Sequence, residues 1–136
     1  MQRILLAEDN KINQVVAAGV LKKLGYEVDI VDDGAAAVAA HATAKYAAIL
    51  MDVMMPGVDG YQATGKIREF ERQLGTKHIP IIGLSARAMT GDRDIAINAG
   101  MNDYLTKPLR TDELKAALEF WIEAVPTDVG AAAGTV

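Results

Sequence analysis

The sequence predicts a doubly wound α/β domain in which one five-stranded parallel sheet carries helices on both faces. Short apolar runs alternate five times with helical patterns along the chain. Each run is continuous, as in strands that are buried on both faces, and turn or cap residues separate the two kinds of segment. Five such βα units imply right-handed crossover connections. A length of 136 residues fits one domain with one core.

The first two βα units occupy residues 3–44. A strand at Arg3–Ala7 precedes a helix that Asn10 can cap and that Gly25 ends in the left-handed conformation. Helical spacing predicts that this first helix buries an apolar face, formed by Ile12, Val15, Val16, Gly19, Val20 and Leu24. A second strand is predicted at Glu27–Val31, and an alanine-rich helix of high propensity at 34–44.

The other three units follow from residue 47 onward. Their strands are predicted at 47–51, 80–84 and 103–106, and their helices at about 61–72, at about 90–99, and from Thr111. Acidic residues after Thr111 suit the first turn of the last helix. Its predicted buried stripe is Leu114, Ala117, Leu118, Trp121, Ile122 and Val125. We predict one domain over residues 1–125 and a disordered tail over 126–136.

The composition indicates a globular chain and excludes several classes of function. Fourteen basic and eighteen acidic side chains give a formal charge of −4, so no basic stripe is available for direct binding of nucleic acid. The absence of cysteine excludes disulfides and thiolate metal sites. The opening apolar run is too short for a signal peptide or a membrane span. We therefore expect a cytoplasmic protein that does not contact the membrane directly.

Charged side chains follow three of the predicted strands at the point where each strand ends. They are the pair Glu8 and Asp9, then Asp52, then Lys107. Ligands of open parallel sheets bind at this edge, so we expect these side chains to line one crevice if the strands are neighbours. Two like charges about 4 Å apart repel by roughly 4 kcal/mol at an effective dielectric of about 20. One lysine cannot neutralise three carboxylates, and the cluster predicts a Mg²⁺ site around a phosphorylatable aspartate.

Four segments of the chain resemble the receiver (phosphoacceptor) domains of response regulators in two-component signalling. They are residues 4–10 (ILLAEDN), 49–56 (ILMDVMMP), 80–86 (PIIGLSA) and 103–108 (DYLTKP). The resemblance covers about residues 3–125 and implies a flavodoxin-like (βα)5 fold. Asp9, Asn10, Asn13 and Gln14, together with residues 89–92 (MTGD), look most like receivers attached to hybrid sensor kinases.

The resemblance implies a role in phosphoryl transfer for each residue at the strand ends. Asp52 would be the nucleophile that takes a phosphoryl group from a phosphohistidine. Asp9 would bind Mg²⁺ directly and Glu8 through water, with the main-chain carbonyl of Met54 as a further ligand.

Three further residues would contact the phosphoryl group in the family pattern. Lys107 would hold one of its oxygens, while the hydroxyl of Ser85 and the N–H of Ala86 would donate to it. In the family the peptide bond between Lys107 and Pro108 is cis, which is possible only because proline follows.

The resemblance also implies a switch and partners. Tyr104 resembles an aromatic residue that repacks when the hydroxyl at Ser85 moves; the alternative is an ordinary half-exposed aromatic. The face formed by the fourth helix, fifth strand and fifth helix would then be read by an unidentified downstream protein. The phosphodonor would be a histidine kinase or a histidine-containing phosphotransfer domain. We expect partner choice to lie on the first helix, around Asn13, Gln14 and Ala17, and on the adjoining loops.

Two side chains that flank the site predict a long-lived acyl phosphate. Met54 and Arg87 each lie two positions after a site residue, Asp52 and Ser85 respectively. Met54 cannot hydrogen-bond the water that hydrolysis needs, and the bulk of both side chains could obstruct it. Phosphorylated Asp52 is therefore predicted to hydrolyse slowly compared with a Met54→Asn variant.

Three other functions remain as alternatives. A phosphatase or phosphotransferase with an aspartyl-phosphate intermediate would need a second aspartate where Met54 stands. A flavodoxin-like nucleotide-binding module would need phosphate donors in the first loop, where Glu8 and Asp9 would repel phosphate. A degenerate receiver that only binds partners would lack a competent side chain at a key position. We therefore expect no enzymatic activity beyond the chain's own phosphorylation and dephosphorylation.

Several conspicuous residues are assigned no chemistry. Asp59, before Gly60, is expected to be a cap or turn residue. His41 and His78 lack ligand spacing, and we expect both to be solvated. The methionines at 51, 54 and 55 are expected to serve packing and the loop rather than a metal.

Overall fold

The computed structural model describes residues 2–86 and 91–124, in which five strands alternate with five helices. The strands are β1 (Arg3–Ala7), β2 (Glu27–Val31), β3 (Ala48–Asp52), β4 (Ile81–Ser85) and β5 (Asp103–Thr106). The helices are α1 (Lys11–Lys23), α2 (Gly34–Thr43), α3 (Gly60–Leu74), α4 (Asp92–Ala99) and α5 (Thr111–Ala124). The predicted alternation is confirmed. Three predicted features lie outside the described residues: the helix start at residue 90, Val125 of the last stripe, and the tail. The domain division at 125 therefore stays a prediction.

The strands form one parallel sheet in the order β2-β1-β3-β4-β5. The chain moves outward from β1 to β2, then returns to the other side of β1 with β3. Such a reversal opens a crevice at the carboxyl ends of the two central strands. The order places Glu8 and Asp52 on adjacent strands, because Ala7 pairs with Met51. The predicted doubly wound fold is confirmed.

Two apolar layers cover the sheet. Alternate strand residues divide between them, as the period of a strand requires. One layer joins the sheet to α2, α3 and α4 through Ala37, Ala63, Ile67 and Ala96; the other joins it to α1 and α5 through Ala17, Leu21, Leu114, Leu118 and Ile122. No helix within the described residues has the length and apolar character needed to cross a membrane.

The predicted stripe of α5 is confirmed where it is described. That of α1 is confirmed for Val20 and Leu24, which pack half-buried against the core, but it is wrong for the first turns of the helix. Ile12, Val15 and Val16 are 74%, 73% and 48% exposed. The residues that α1 buries are Gln14, Ala17, Ala18 and Leu21. Small residues allow a helix to approach a sheet closely, so α1 packs through its alanines. Both sets have helical spacing, and periodicity alone does not choose between them.

The prediction that His41 is solvated is also wrong. Its side chain is 13% exposed, with Nε2 3.7 Å from the fully buried carboxylate of Glu71. The side-by-side packing of α2 and α3 encloses the ring, which also makes an edge contact with Phe70. Burial lowers the pKa of His41, against the opposing pull of Glu71. His78, by contrast, is exposed as expected.

The predicted caps are present. The side chain of Asn10 accepts from the N–H of Asn13 at the start of α1. Asp59 forms a capping box with Gln62 at the start of α3, so its structural assignment is confirmed. Gly25, which follows the C-cap residue Leu24, adopts φ 96°, the left-handed conformation expected after the end of α1.

Candidate functional site

The loop after β1 presents two carboxylates of different exposure. Glu8 is 1% exposed, and its Oε2 accepts from the N–H of Asn10 at 3.1 Å. Its own N–H donates to the carbonyl oxygen of Val31 at 3.0 Å, which ties the loop to the end of β2. Asp9, the next residue, is exposed. The loop therefore pairs one rigid, buried acid with one that faces solvent.

Asp52 is the last residue of β3 and is 4% exposed. Its Oδ1 accepts from the main-chain N–H of Met54 at 3.3 Å. Helix α3 begins directly behind it, since a Cβ on Gly60 would collide with the carbonyl oxygen of Asp52. Glycine at this position thus lets the helix approach the strand end that carries the acid.

Lys107, which directly follows the edge strand β5, contacts both buried acids. Its Nζ donates to Oε1 of Glu8 at 2.6 Å and lies 3.4 Å from Oδ2 of Asp52. The Lys107–Pro108 peptide bond is cis, as the resemblance implies. The N–H of Lys107 donates to the carbonyl oxygen of Ser85 at 2.7 Å. Residues 99 positions apart in the chain are therefore brought into one ion pair.

The three carboxylates form one oxygen cluster. Glu8, Asp9 and Asp52 each offer an oxygen within 4.8 Å of the other two. Within the part of the chain that the structure describes, one ammonium group against three carboxylates leaves an excess of negative charge. Carboxylate oxygens are the ligands that Mg²⁺ prefers, and a partly open site suits an ion that keeps some of its water. The donor set therefore fits a divalent cation.

The pKa values of the two buried acids move in opposite directions. Burial, a hydrogen bond with Glu8 and repulsion from Glu8 raise the pKa of Asp52 to about 6, against the opposing effect of Lys107. Burial alone would raise the pKa of Glu8, but the bonds from Lys107 and from the N–H of Asn10 outweigh it and lower that pKa.

The remaining predicted site residues lie at or near the same edge of the sheet. Ser85 ends β4, between the strands of Asp52 and Lys107, and is 7% exposed; Ala86 follows it and is exposed. The Met54 side chain is 71% exposed beside Asp52, whereas Met51 and Met55 are buried, as packing residues are. Arg87 lies outside the described residues.

Tyr104 lies on β5 two register positions before the residue that pairs with Ser85. It is half-buried on the side of the sheet covered by α4, next to Gly83 and Met101. Its hydroxyl donates to Oδ2 of Asp92 at 3.4 Å. The ring of Tyr104 therefore reaches the first turn of α4.

The expectation that partner choice lies around Asn13, Gln14 and Ala17 is wrong for Gln14 and Ala17, because both are buried, at 7% and 3% exposure. The amide of Gln14 donates to the carbonyl oxygen of Glu8 at 2.6 Å and to Oδ1 of Asp32 at 2.7 Å. The sequence reasoning missed this contact to the acidic loop, and missed Asp32 altogether. A signal was present, since Gln14 stands three, four and seven residues before Ala17, Ala18 and Leu21.

A family model described as the response regulator receiver domain matches residues 4–119. The chain belongs to this family. The predicted resemblance is therefore confirmed, and the chain is a receiver domain of two-component phosphorelay signalling.

Sensor kinases are among the relatives of this receiver domain. The sensor protein GacS of Pseudomonas syringae pv. syringae is 39% identical over 119 residues, which cover 88% of this chain and 13% of GacS. The chain thus spans only a small part of such a relative. The receiver domain of the sensor histidine kinase PA1611 from Pseudomonas aeruginosa PAO1, with a magnesium ion in its active site cleft, is 48% identical with a TM-score of 0.81; the match covers 90% of this chain and 98% of that chain.

A third similar structure is a complex between two signalling proteins. It contains the Saccharomyces cerevisiae histidine phosphotransfer protein Ypd1 and the receiver domain of its downstream response regulator Ssk1. That match is 29% identical with a TM-score of 0.85 and covers 94% of this chain and 94% of that chain. The predicted likeness to receivers of sensor kinases agrees with these findings.

Proposed function

We propose that Asp52 accepts a phosphoryl group from a phosphohistidine. The observation that carries the proposal is the position of its buried carboxylate, between the ammonium of Lys107 and the acids of the β1–α1 loop. An Asp52 oxygen would bond to phosphorus while the bond from phosphorus to the histidine nitrogen breaks. The imidazole keeps the bonding pair and takes a proton, and Asp52 becomes an acyl phosphate.

The residues around Asp52 would offset the charge of the transferred group. Glu8, Asp9 and Asp52, with the carbonyl oxygen of Met54, would hold Mg²⁺, which supplies positive charge next to the phosphoryl oxygens. Lys107 would exchange its contact with Asp52 for a phosphoryl oxygen while it stays bonded to Glu8. Phosphoryl transfer depends mainly on such positioning and charge stabilisation.

Ser85 and Ala86 would donate to the phosphoryl group from the end of β4. Ser85 is largely buried beside Asp52, so its hydroxyl would move inward when the phosphoryl group arrives. Tyr104, on the neighbouring strand, would repack in response and change the face formed by α4, β5 and α5. An unidentified downstream protein would read that face.

The phosphodonor would dock on the exposed apolar part of α1. Ile12, Val15 and Val16 form a solvent-facing patch one turn from the acidic loop, and Met54 adds an exposed apolar side chain on the other side of Asp52. Such a patch next to a reactive group is typical of a protein interaction site. A histidine kinase or a histidine-containing phosphotransfer domain is the donor we propose, in line with the Ypd1 complex of the Ssk1 receiver.

The proposed role is that of a signalling domain and not of an enzyme that turns over external substrates. The chain would catalyse only its own phosphorylation and the loss of its own phosphate. The cytoplasm is the location we propose for this exchange.

The test is intact-mass measurement after incubation with acetyl phosphate and Mg²⁺. We expect the mass to rise by one phosphoryl group, and we expect no rise in Asp52→Asn or after addition of a chelator. Asp112→Asn makes the same chemical change on the exposed first turn of α5 and should be phosphorylated normally. An unmodified wild-type mass, or a labelled Asp52→Asn, would refute the proposal.

A further inference from the structure

Gln14 is a polar residue in the otherwise apolar buried stripe of α1. Its side chain is almost fully enclosed, and its Nε2 uses both hydrogens, one toward the carbonyl oxygen of Glu8 at 2.6 Å and one toward Oδ1 of Asp32 at 2.7 Å. A buried amide costs free energy unless it is hydrogen-bonded, so these two contacts hold the side chain in one orientation.

The contact with Glu8 acts on the main chain of the acidic loop. The N–H of Glu8 is bonded to the carbonyl oxygen of Val31, and the C=O of Glu8 is bonded to Gln14. Both polar groups of the Glu8 backbone are therefore held. The second of them belongs to the peptide unit that leads into Asp9.

Asp9 depends on that peptide unit for its position. It is exposed, so packing does not restrain its side chain. The side chain of Glu8, in contrast, is buried and accepts two hydrogen bonds. Rotation of the peptide between Glu8 and Asp9 would move the Asp9 carboxylate away from Asp52 and open the oxygen cluster. The bond from Gln14 opposes this rotation.

Asp32 holds Gln14 from the opposite side. It directly follows Val31, whose carbonyl oxygen accepts from Glu8, so the contacts close a ring through β2, the acidic loop and α1. Asp32 itself is exposed and lies 3.8 Å from Lys11. The loop after β2 thereby supports the loop after β1.

We propose that Gln14 is a positioning residue that sets the Asp9 carboxylate for Mg²⁺. The proposal rests on the proposed function, since it assumes that the three carboxylates hold the ion. Outer hydrogen-bond partners of metal ligands typically change metal affinity by about 10- to 100-fold when they are removed. We place Gln14 at the lower end of that range, because it acts on a backbone carbonyl and not on the carboxylate itself.

The main test is isothermal titration calorimetry of Mg²⁺ binding to Gln14→Met, which keeps the length of the side chain but loses both donors. We expect Mg²⁺ affinity to fall about tenfold. Phosphorylation by acetyl phosphate should then need more Mg²⁺ for half-maximal rate but reach the wild-type rate at saturation. Ala17→Gly, a matched change one turn further along the buried face of α1, should destabilise the fold while leaving Mg²⁺ affinity within twofold of wild type.

A second pair of variants tests the role of Gln14 through its exposed hydrogen-bond partner, Asp32. Asp32→Asn removes the charge and keeps the Oδ1 acceptor, whereas Asp32→Ala removes both. We expect Asp32→Ala to bind Mg²⁺ several-fold more weakly than Asp32→Asn. This pair decides the matter if Gln14→Met does not fold.

The outcomes separate the two proposals. If the wild-type chain binds no Mg²⁺, the proposed function fails and this inference fails with it. If the wild type binds but Gln14→Met binds equally well, or if Ala17→Gly loses as much affinity, the inference alone is overturned. Equal affinities for Asp32→Asn and Asp32→Ala would overturn it too.

Discussion

Buried charged groups lie at both ends of the sheet, and the two ends differ in how the charges are matched. At the amino end, Arg68 donates to Glu71 at 2.8 Å and to Oδ1 of Asn102 at 2.8 Å, and Glu71 also accepts from the N–H of Ile79. Each strong donor there has an acceptor. At the carboxyl end, Lys107 is the cation that the described residues place against Glu8 and Asp52, and Asp9 adds a third carboxylate to their cluster.

The comparison shows how a structural charge network differs from a functional one. The network around Arg68 connects α3 to the starts of β4 and β5. Because the guanidinium of Arg68 is paired with the carboxylate of Glu71, this structural contact carries no excess charge. The cluster around Asp52 keeps an excess of negative charge. Burial first, and the neighbouring Glu8 second, raise the pKa of Asp52, and a cation would relieve the repulsion between the carboxylates. Perturbed acids in a cleft are typical of functional sites.

The largest expected effect is at the balanced end. Glu71→Gln leaves the guanidinium of Arg68, which is 5% exposed, without its counter-charge. Breaking a buried pair from one side costs about 3–5 kcal/mol, so we expect a loss of that size in the free energy of unfolding, measured with urea.

Glu69→Gln is the matched control for Glu71→Gln. Glu69 pairs with Arg72 at the same i,i+3 spacing on the same helix, but both side chains are more than half exposed. Exposed pairs contribute about 0–1 kcal/mol, and the loss should stay within that range. Similar losses of unfolding free energy in Glu71→Gln and Glu69→Gln would contradict the distinction between a buried ion pair and an exposed one.

The opposite sign is expected at the acidic end. Asp52→Asn removes one of three crowded carboxylates, and without metal it should raise the free energy of unfolding by about 1–2 kcal/mol at pH 7. Urea unfolding in chelator measures this. A clear loss of stability in Asp52→Asn would show that the charge of Asp52 is compensated in the metal-free chain. The proposed difference between the two ends of the sheet would then be wrong.

The pH dependence has a definite sign. The pKa of Asp52 is about 6 in the folded chain, against 3.8 for the free side chain, so the folded state binds more protons between about pH 4 and 6. The contribution of Asp52 to the stability of the metal-free chain should therefore fall by about 1–2 kcal/mol as pH rises through this range, whereas the lowered pKa of His41 makes an opposing, rising contribution. The lowered pKa of Glu8 acts oppositely, but at more acidic pH, below its usual value of 4.5.

Unfolding curves at pH 5, 6 and 7 in chelator give this slope for the wild type and for Asp52→Asn. The fall with rising pH should be absent from the variant, since the titrating carboxyl is gone, which leaves the rise that the lowered pKa of His41 contributes. An unchanged slope in Asp52→Asn would assign the effect to another group.

The comparison extends to the surface of α1. Val15→Glu should lower phosphoryl transfer from a purified, phosphorylated histidine phosphotransfer domain about tenfold, because a charge replaces a contact in the proposed docking patch. Labelling by acetyl phosphate should not change. Leu74→Glu, an exposed apolar position at the far end of α3, is the control and should affect neither reaction. Equal losses with both donors would place Val15 in the chemistry and not in docking.

The smallest expected effect is on phosphate lifetime. Met54→Asn offers a hydrogen-bonding group to water beside Asp52, and we expect the acyl phosphate to be lost several-fold faster than in the wild type. Intact mass followed over time measures the rate, with Leu74→Asn as the control for the same kind of change on a remote surface. Equal or slower loss from Met54→Asn would contradict the prediction that its side chain obstructs hydrolysis.

Much of the site was predictable because it depends on local sequence. Each strand end is marked by the change from an apolar run to a charged residue, as at Ala7 and Met51. The cap residues Asn10 and Asp59 start their helices through hydrogen bonds within three residues. In a parallel sheet, strand ends then meet at one edge whatever the details of packing.

Other features were not predictable in this way. Apolar periodicity placed Ile12, Val15 and Val16 in the core, but the structure turns that face to solvent and packs Ala17 and Leu21 inward. His41 has no local sign of burial, and only the approach of α3 encloses it. In both cases the outcome depends on which neighbouring element is present.

The sequence by itself determined the order of strands and helices, the helix starts, and the charged residues at each strand end, because these follow from contacts within a few residues. Tertiary structure decided the strand order, the face of α1 that is buried, and the pairing of Lys107 with Glu8 across 99 positions. It also buried Gln14, which was expected at the surface, and placed its amide against the carbonyl oxygen of Glu8 in the acidic loop. Such contacts between distant residues are selected by packing of the whole core, where small residues and buried polar groups must find partners at the same time.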